Sequence, residues 1–343
     1  MIKRIGFACK YLHHDQSLKK KQLEELQRPL NTRSTTVAWL NRQTRTVAED
    51  RLYDLMDHNI RSFRNLIEYV GKLPANRRMV RLGSDCLPVY TEPTWCSFYK
   101  QFSVQNYCET EFAKIGELAR QLDVRLSFHP GQFTVLASDN DEIVERSIEE
   151  FEYHVNMIRW MGYGKQFQDF KCNVHISGRR GPQGIIDVLP KLSPEARNTI
   201  TIENDEMSWG LDASLELADH CALVLDIHHH FIREGEYIAP TDTRFKRIID
   251  SWRGVRPVIH YSYSRNEHLP EDFAHDDFPN MKLLLEAGHK KQKLRAHSDF
   301  YPNQIVNDWA LGFLEHADIM SEAKGKNLAS EQLYLQAYES GYI

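Results

Sequence analysis

The chain has 343 residues, of which 41% are hydrophobic and 27% charged, values that suit one large soluble enzyme with a substantial core. No apolar stretch approaches the roughly 20 residues that cross a bilayer, so the sequence predicts a cytoplasmic protein without a membrane partner. The formal net charge of −5 argues against a protein that coats nucleic acid without selectivity.

Short apolar or β-branched runs recur along the chain and predict eight strands, at residues 5–9, 79–84, 124–128, 172–177, 199–203, 223–226, 257–261 and 293–298. Stretches with helical period lie between most of them. In one such stretch Leu52, Leu55 and Met56 begin an apolar stripe that ends before Gly71 and Pro74. A second stripe, after the third strand, is formed by Ile143, Ile148, Phe151, Val155 and Ile158.

A βα unit repeated eight times predicts an α/β fold, a TIM (β/α)8 barrel, whose active site lies at the carboxyl ends of the strands. We expect a single domain over residues 1–343, with an extended loop at about 261–292. A doubly wound open sheet is the competing architecture and would place the site at one switch point instead. Ligand-type residues at most of the predicted strand ends favour the barrel.

Imidazole and carboxylate side chains stand at or just after these strand ends. His229 follows Asp226 by three residues, so it returns to the same side only if the strand stops near Asp226. Buried carboxylates without cations would be costly, and mixed imidazole and carboxylate ligands are typical of metal sites. The predicted metal ligands are His129, His175, Glu203, Asp226, His229, His260, His297 and Glu322, the last of which opens the final predicted helix.

Local basic clusters occur at residues 19–21, 77–81, 179–180 and 290–295. Most are interpreted as solvated surface. Arg179 and Arg180 differ because they immediately follow the fourth predicted strand on the active-site side, where they would meet a polyanion. Metal ions in the cleft would also reverse the sign of the charge that such a ligand encounters.

The order of motifs along the chain resembles the UV damage endonuclease family, a set of metal-dependent DNA-repair barrels related to endonuclease IV and to xylose isomerase-like folds. The resemblance spans nearly the whole chain and rests on the segments IGFAC, RLGSD, SFHPGQF, NVHISG, TIENDE, LVLDIHHH, IHYS, RAHSDF and SEAKGKN.

The resemblance implies two or three metal ions. One would be held by His129, His175 and Glu203. Glu203 would bridge to a second, held also by Asp226, His260 and Glu322, and these four are the expected catalytic residues. His229 and His297 would hold a third. Mn²⁺ is the expected metal and Zn²⁺ or Mg²⁺ the alternatives, because mixed histidine and carboxylate shells suit Mn²⁺ or Zn²⁺ better than metals that prefer oxygen alone.

Gln132 and Phe133 fall where the family has a Gln-Tyr pair that probes DNA at the lesion, so the resemblance implies an inserted wedge. Phe7 and Phe133 replace tyrosines and would keep only their stacking faces. Val258 stands where the family has a lysine near the third metal, which makes that metal the least secure. The polar residues of the loop 261–292, Asp276 among them, are interpreted as solvated.

The function that these features imply is a metal-dependent DNA-repair endonuclease. It would nick the backbone 5′ to UV photoproducts or related helix-distorting damage, using metal-activated water. We expect a monomer that binds damaged double-stranded DNA, at the nucleoid if the source is bacterial. A sugar isomerase on the same barrel and a non-catalytic damage-binding protein are the alternatives. The sequence carries no nucleophile elbow, phosphate loop or dinucleotide fingerprint.

Overall fold

The computed structural model describes residues 1–275 and 277–343 and contains one sheet of eight parallel strands. The strands are β1 (Ile5–Ala8), β2 (Met79–Arg81), β3 (Arg125–Phe128), β4 (Lys171–His175), β5 (Ile200–Glu203), β6 (Ala222–Val224), β7 (Val258–Tyr261) and β8 (Asp318–Ser321). Their spatial order is β6-β5-β4-β3-β2-β1-β8-β7.

The two ends of this order meet, so the sheet forms a nearly closed barrel. A parallel bridge joins Asp226, just after β6, to His260 in β7, and the His260 N–H donates to the Leu225 carbonyl over 2.9 Å. The predicted (β/α)8 barrel is therefore confirmed, and the open doubly wound sheet is excluded. The carboxyl ends of all eight strands lie at one mouth of the barrel.

The strands are short and apolar because helices cover the outside of the barrel while side chains fill its inside. In β1, β5, β7 and β8 every residue is buried. The register of β4 and β5 pairs His175 with Glu203, which brings two predicted ligands side by side.

Sixteen α-helices lie within the described residues. They are α1 (Lys20–Gln27), α2 (Val37–Leu40), α3 (Arg45–Gly71), α4 (Cys96–Tyr99), α5 (Phe102–Gln121), α6 (Asp141–Trp160), α7 (Gly181–Val188), α8 (Pro194–Thr199), α9 (Leu211–Leu215), α10 (Ile227–Glu234), α11 (Thr243–Ser251), α12 (Glu271–His275), α13 (Met281–Glu286), α14 (Lys291–Leu294), α15 (Gln304–Leu311) and α16 (Lys326–Glu339). Short 3₁₀ turns occupy Arg28–Leu30, Ala75–Arg77, Leu189–Lys191, Asn266–His268 and Gly312–Glu315.

The helix predicted before β2 is confirmed as α3, and its apolar stripe is buried against the barrel. The helix begins earlier than the stripe, after Thr44, whose side chain accepts the N–H of Val47. In α6 the predicted stripe is correct for Phe151, Val155 and Ile158, and Ile148 is partly buried against the core. Ile143, in the first turn of the helix, is 42% exposed.

The eighth strand was predicted at the wrong place. Residues 293–298 contain the end of α14 and one antiparallel bridge from His297 to Ser264, whereas the true β8 is Asp318–Ser321. A strand between β7 and β1 is buried on both faces, so its side chains must be apolar or paired. Ile319 and Met320 meet this requirement, and both are 0% exposed. Lys293 is exposed and could not be buried in this way. Glu322 consequently follows a strand rather than opening a helix.

The connection predicted as an extended loop at 261–292 is partly helical, since α12, α13 and the start of α14 lie within it. With α15 it forms one long excursion between β7 and β8. Asp276 lies outside the described residues. A search of the described helices found none long and apolar enough to cross a membrane.

Candidate metal centre

Glu203 is the central residue of the barrel mouth. It is the last residue of β5, and its carboxylate is completely buried. One oxygen accepts a hydrogen bond from the Asn173 amide and lies 3.2 Å from His129 Nε2, and the other lies 3.0 Å from His260 Nδ1. His175 Nε2 is 3.9 Å away. Burial would raise the pKa of Glu203, but the neighbouring histidines lower it well below its usual range.

His129 and His175 flank this carboxylate on one side, at the ends of β3 and β4. Other groups orient both rings through Nδ1: His129 lies 3.0 Å from the Pro130 carbonyl, and His175 lies 3.0 Å from Asp205. The Nε2 atoms therefore face Glu203. Ligand atoms of His129, His175 and Glu203 all lie within 4.8 Å of one another, a spacing that could hold one ion.

Asp226, His260 and Glu322 lie on the other side of Glu203. Asp226 caps α10, and one of its oxygens accepts the N–H groups of His228 and His229. Its other oxygen is buried and has no hydrogen-bond partner among the described residues. Glu203, Asp226 and His260 form a second group within 4.8 Å, and Glu322 approaches His260 Nδ1 to 3.2 Å.

His229 lies on α10 because the chain turns directly after Asp226, as the sequence requires if both are to face the mouth. Its Nδ1 is 3.0 Å from the Asn204 carbonyl, and its Nε2 is 3.6 Å from Glu206. The third group that could hold an ion is His175, Glu206 and His229. Glu206 was absent from the sequence prediction.

His297 does not join any of these three groups. Its Nδ1 lies 3.1 Å from the Glu322 carbonyl oxygen, and its ring centroid is 5.8 Å from that of His228. His228 is buried, and its Nε2 has no hydrogen-bond partner among the described residues. The structure therefore places His297 beside His228 and Glu322, and places His229 beside Glu206 instead.

Two buried cations complete the centre. Arg81, at the end of β2, forms an ion pair with Glu322 and is 13% exposed. Lys171, the first residue of β4, is 3% exposed, and its Nζ lies 2.8 Å from His260 Nε2. Burial, partly offset by the charge of Glu203, lowers the pKa of Lys171 to about 7. Lys171 thus brings an amine to the histidine of β7 although Val258 occupies the position two residues before it.

The titration properties of the centre fit a site that binds cations. Burial, with the charges of Glu203 and Glu322, raises the pKa of Asp226 to about 8. Burial lowers the pKa of His129 to about 4, which leaves its imidazole neutral and able to act as a ligand. The unpartnered carboxylate oxygen of Asp226 lies close to the ring of His260, whose pKa burial lowers, and together they are donors that a divalent cation would satisfy.

The loop after β3 carries Gln132 and Phe133 outward from this mouth. Phe133 is 85% exposed, and Gln132 is also exposed. Both line a recess with Met207 and Arg295, which continues to His175. An aromatic ring this exposed contributes little to the core.

Arg179 and Arg180 are exposed directly after β4. Arg179 pairs with Asp139 over 3.1 Å, and Arg180 pairs with Asp141 over 2.8 Å. Nearby acids therefore partly offset their charges.

The structure does not support a stacking face on Phe7. Its ring is 1% exposed because it lies within β1, between β2 and β8, and belongs to the hydrophobic core.

Sequence reasoning missed Arg81, Lys171 and Glu206. Arg81 ends a strand, which is the same signal that identified the histidines, but its basic neighbours led to a surface interpretation. Glu206 lies three residues beyond the end of β5, where only a loop conformation could bring it back. Lys171 begins its strand and gave no signal.

The fold and the site together define the class of protein: a parallel β/α barrel with a buried cluster of histidines and carboxylates at the carboxyl ends of its strands. Comparison with known proteins is consistent with that description. The family profile of the UV-endonuclease UvdE matches residues 4–340. The chain therefore belongs to the UV-endonuclease family.

Individual proteins that resemble this chain carry the same family name. The UV DNA damage endonuclease of Bacillus velezensis is 27% identical over 317 residues, which cover 89% of this chain and 94% of that protein. The UV-damage endonuclease of Neurospora crassa is 28% identical over 242 residues, 63% of this chain but only 36% of that longer protein. The crystal structure of SacUVDE covers 99% of this chain at a TM-score of 0.74 and 19% identity, which supports the shared fold.

Proposed function

We propose that this protein, a single barrel domain over residues 1–343, is a metal-dependent endonuclease that nicks duplex DNA 5′ to UV photoproducts or related distorting damage. The observation that carries the proposal is the buried group of Glu203, Asp226 and His260, which shares Glu203 with a second group at the same mouth. Two adjoining cation sites that share a carboxylate are an arrangement used for phosphodiester hydrolysis. Family membership supplies the substrate class.

The donor set fits divalent cations, with Mn²⁺ as the proposed metal and Zn²⁺ or Mg²⁺ as alternatives. Bound there, such ions would supply an activated water and positive charge to offset the phosphate. The protein contributes the positions of the ligands: Pro130 and Asp205 turn the His129 and His175 rings so that Nε2 faces Glu203. Asn173 fixes the rotamer of Glu203 itself.

His175, Glu206 and His229 are proposed as an alternative position for an ion, in place of a third ion held by His229 and His297. One Nε2 of His175 cannot serve two ions at once. Occupancy of this group would therefore compete with the group formed by His129, His175 and Glu203 for the same nitrogen.

Gln132 and Phe133 are proposed to contact the lesion. Their loop lies beside the recess that leads to His175, so a base displaced there would be close to the centre. A pyrimidine dimer is already poorly stacked, which reduces the cost of displacing it. Arg179 and Arg180, exposed on the same side, are proposed to contact backbone phosphate.

A sugar isomerase would need a lysine that faces a small, closed substrate pocket. The buried lysine of this barrel, Lys171, is 3% exposed and contacts His260 instead. The exposed Phe133 at the mouth is likewise a feature suited to a macromolecular ligand. The geometry therefore favours the endonuclease.

The test is incubation of the manganese-loaded protein, and of the protein treated with a chelator, with irradiated and unirradiated duplexes of one sequence. We expect nicks only in the irradiated duplex and only with metal, and mapping of the product ends gives the side of the cut. Selective binding without nicking would identify a damage-binding protein. Equal nicking of both duplexes would remove the lesion from the proposal.

A further inference from the structure

The opposite mouth of the barrel, at the amino ends of the strands, contains a second cavity that plays no part in the proposed nuclease. Its volume is about 490 Å³, which is within the range of small-molecule sites. Residues just before or at the start of strands form its wall, among them Arg4 before β1, Arg125 at the start of β3 and Arg256 before β7. We refer to it as the amino-terminal pocket.

The amino-terminal pocket has an excess of positive charge. Four arginines line it, Arg4, Arg120, Arg125 and Arg256, against two aspartates, Asp123 and Asp318, which leaves a net charge of +2. An excess of positive charge in a recess is unfavourable, because low-dielectric walls concentrate the electric field and strengthen the repulsion between the charges.

The carboxylate of Asp318 is already fully used. It is completely buried, and it accepts hydrogen bonds of 2.7 Å from both Arg125 and Arg256 and one of 2.9 Å from the backbone N–H of Arg4. Burial, together with the charges of Arg4 and Arg256, lowers the pKa of Arg125 in spite of this ion pair. Although Asp318 pairs with two arginines, its single negative charge offsets only one of their positive charges.

One donor and one acceptor of this wall have no hydrogen-bond partner in the described part of the chain. The buried Nε of Arg4 has no hydrogen-bond partner there, although its Nη2 pairs with Asp123 over 2.7 Å. Gln168 is 5% exposed and lines the same cavity, with its amide nitrogen bonded to the Ile200 carbonyl and its amide oxygen without a partner. Both atoms are buried behind the cavity wall, so the charge of the arginines, and not these two atoms, is what a ligand there would meet.

The remainder of the wall is suited to a small organic group. Tyr163 lines the cavity, and the guanidinium of Arg120 lies 4.9 Å from its ring centroid, while Val124 and Val255 add apolar surface. Arginine binds phosphate in a bidentate manner that lysine cannot reproduce.

We propose that the amino-terminal pocket binds the phosphate group of a small phosphate compound, either the free ion or a monoester of mononucleotide size. A phosphate monoester carries about −1.5 to −2 charges at neutral pH, which matches the excess on the wall. The site is separate from the candidate metal centre and does not depend on the proposed nuclease function. Its ligand would be recognised by the arginine donors, with Tyr163 and the two valines in the wall beside it.

The test uses the full-length protein, pretreated with a chelator so that cations at the other mouth cannot bind phosphate. Calorimetric titrations with inorganic phosphate, thymidine 5′-monophosphate and thymidine separate the possible ligands. We expect one site that binds the monophosphate and no binding of thymidine. A monophosphate at least about tenfold tighter than inorganic phosphate identifies an ester as the ligand, and equal affinities identify the free ion.

Arg4→Gln combined with Arg120→Gln leaves the side-chain pairs of Asp318 intact and should weaken phosphate binding at least tenfold. Arg4→Lys keeps the charge but loses the planar donor pair, so it should bind phosphate more weakly than the wild type and more tightly than the doubly substituted variant. Arg64→Gln, an exposed arginine on α3 paired with Glu68, is the matched control and should change nothing. Nicking should be the same in all variants.

Two results would overturn the proposal. One is the absence of saturable phosphate binding by the wild type. The other is equal binding by the wild type and by the doubly substituted variant when urea unfolding shows both to be folded, since the anion would then bind elsewhere.

Discussion

Replacement of Glu203 by glutamine perturbs the centre most directly. The substitution keeps the shape of the side chain and removes one buried negative charge. Glu203 belongs to two of the three candidate cation groups, so both groups lose a ligand charge at once. Loss of a group that merely orients a ligand costs about 10–100-fold in metal affinity, and we expect at least that cost for each of the two sites.

The structure also shows how the glutamine would be seated. Asn173 donates to one carboxylate oxygen, so the new amide nitrogen would have to occupy the other position, facing His260 Nδ1. An amide nitrogen donates hydrogen bonds and has no lone pair available for a cation, so it could not bind a metal there. Loss of one charged hydrogen bond corresponds to about 1.5–3 kcal/mol of folding free energy, which a domain of this size can lose without unfolding.

Two measurements on Glu203→Gln check this expectation: Mn²⁺ binding to metal-free protein, and nicking of a duplex with a single pyrimidine dimer. Nicking should fall by at least about 100-fold, and the number of bound ions should fall as well. Glu152→Gln, on α6, is the control, because Glu152 accepts hydrogen bonds from Ser193 away from the centre. If Glu203→Gln nicks within tenfold of the wild type and binds as many ions, Glu203 does not bridge.

Three further outcomes are expected. Replacing Gln132 and Phe133 with alanine should reduce nicking of dimer-containing duplex by roughly five- to hundredfold, because stacking contributes on the order of 1–3 kcal/mol per base. Binding to intact duplex should not change. If nicking of the damaged duplex and binding of the intact one fall by the same factor, the two residues have only a structural role. Replacing Arg179 and Arg180 with alanine should weaken binding to damaged and intact duplex alike. The slope of log binding constant against log salt concentration should decrease in magnitude by at most about two. An unchanged slope would mean that these arginines form surface ion pairs and do not contact phosphate. Burial lowers the pKa of His154 to about 4, so its contribution to stability is complete above the unfolded value near 6.5 and is lost as the pH falls toward 4. Between about pH 7 and pH 5, the free energy of unfolding measured with urea should therefore fall by about 2 kcal/mol less for His154→Gln than for the wild type. Equal falls would contradict burial of His154 as the cause.

Much of the site was accessible from sequence because a parallel barrel brings the ends of its strands together. Once the runs before His129, His175 and Glu203 were recognised as consecutive strands, the proximity of these side chains followed from the fold alone. The same reasoning identified Asp226 and His260. Each of these residues stands at or near the carboxyl end of an apolar run.

The sequence could not decide contacts that depend on loops or on burial. Glu322 was chosen correctly as a mouth residue but attached to the wrong element, because residues 293–298 had been taken as the eighth strand instead of Asp318–Ser321. Phe7 was expected to face a ligand, and only the packing of β1 between its neighbours shows that it is core.

Tertiary structure alone decided the electrostatics of the centre. Arg81 was grouped with surface cations, yet the barrel buries it against Glu322. Lys171, from the start of β4, brings an amine to His260, whereas the family resemblance placed a lysine two residues before that histidine. The succession of strands along the chain, and the polar residues that end them, can be predicted from periodicity because these are local properties of the sequence. The partner of a buried charge depends on which side chains the closed barrel forces together across many residues of sequence, and that is a property of the packed structure.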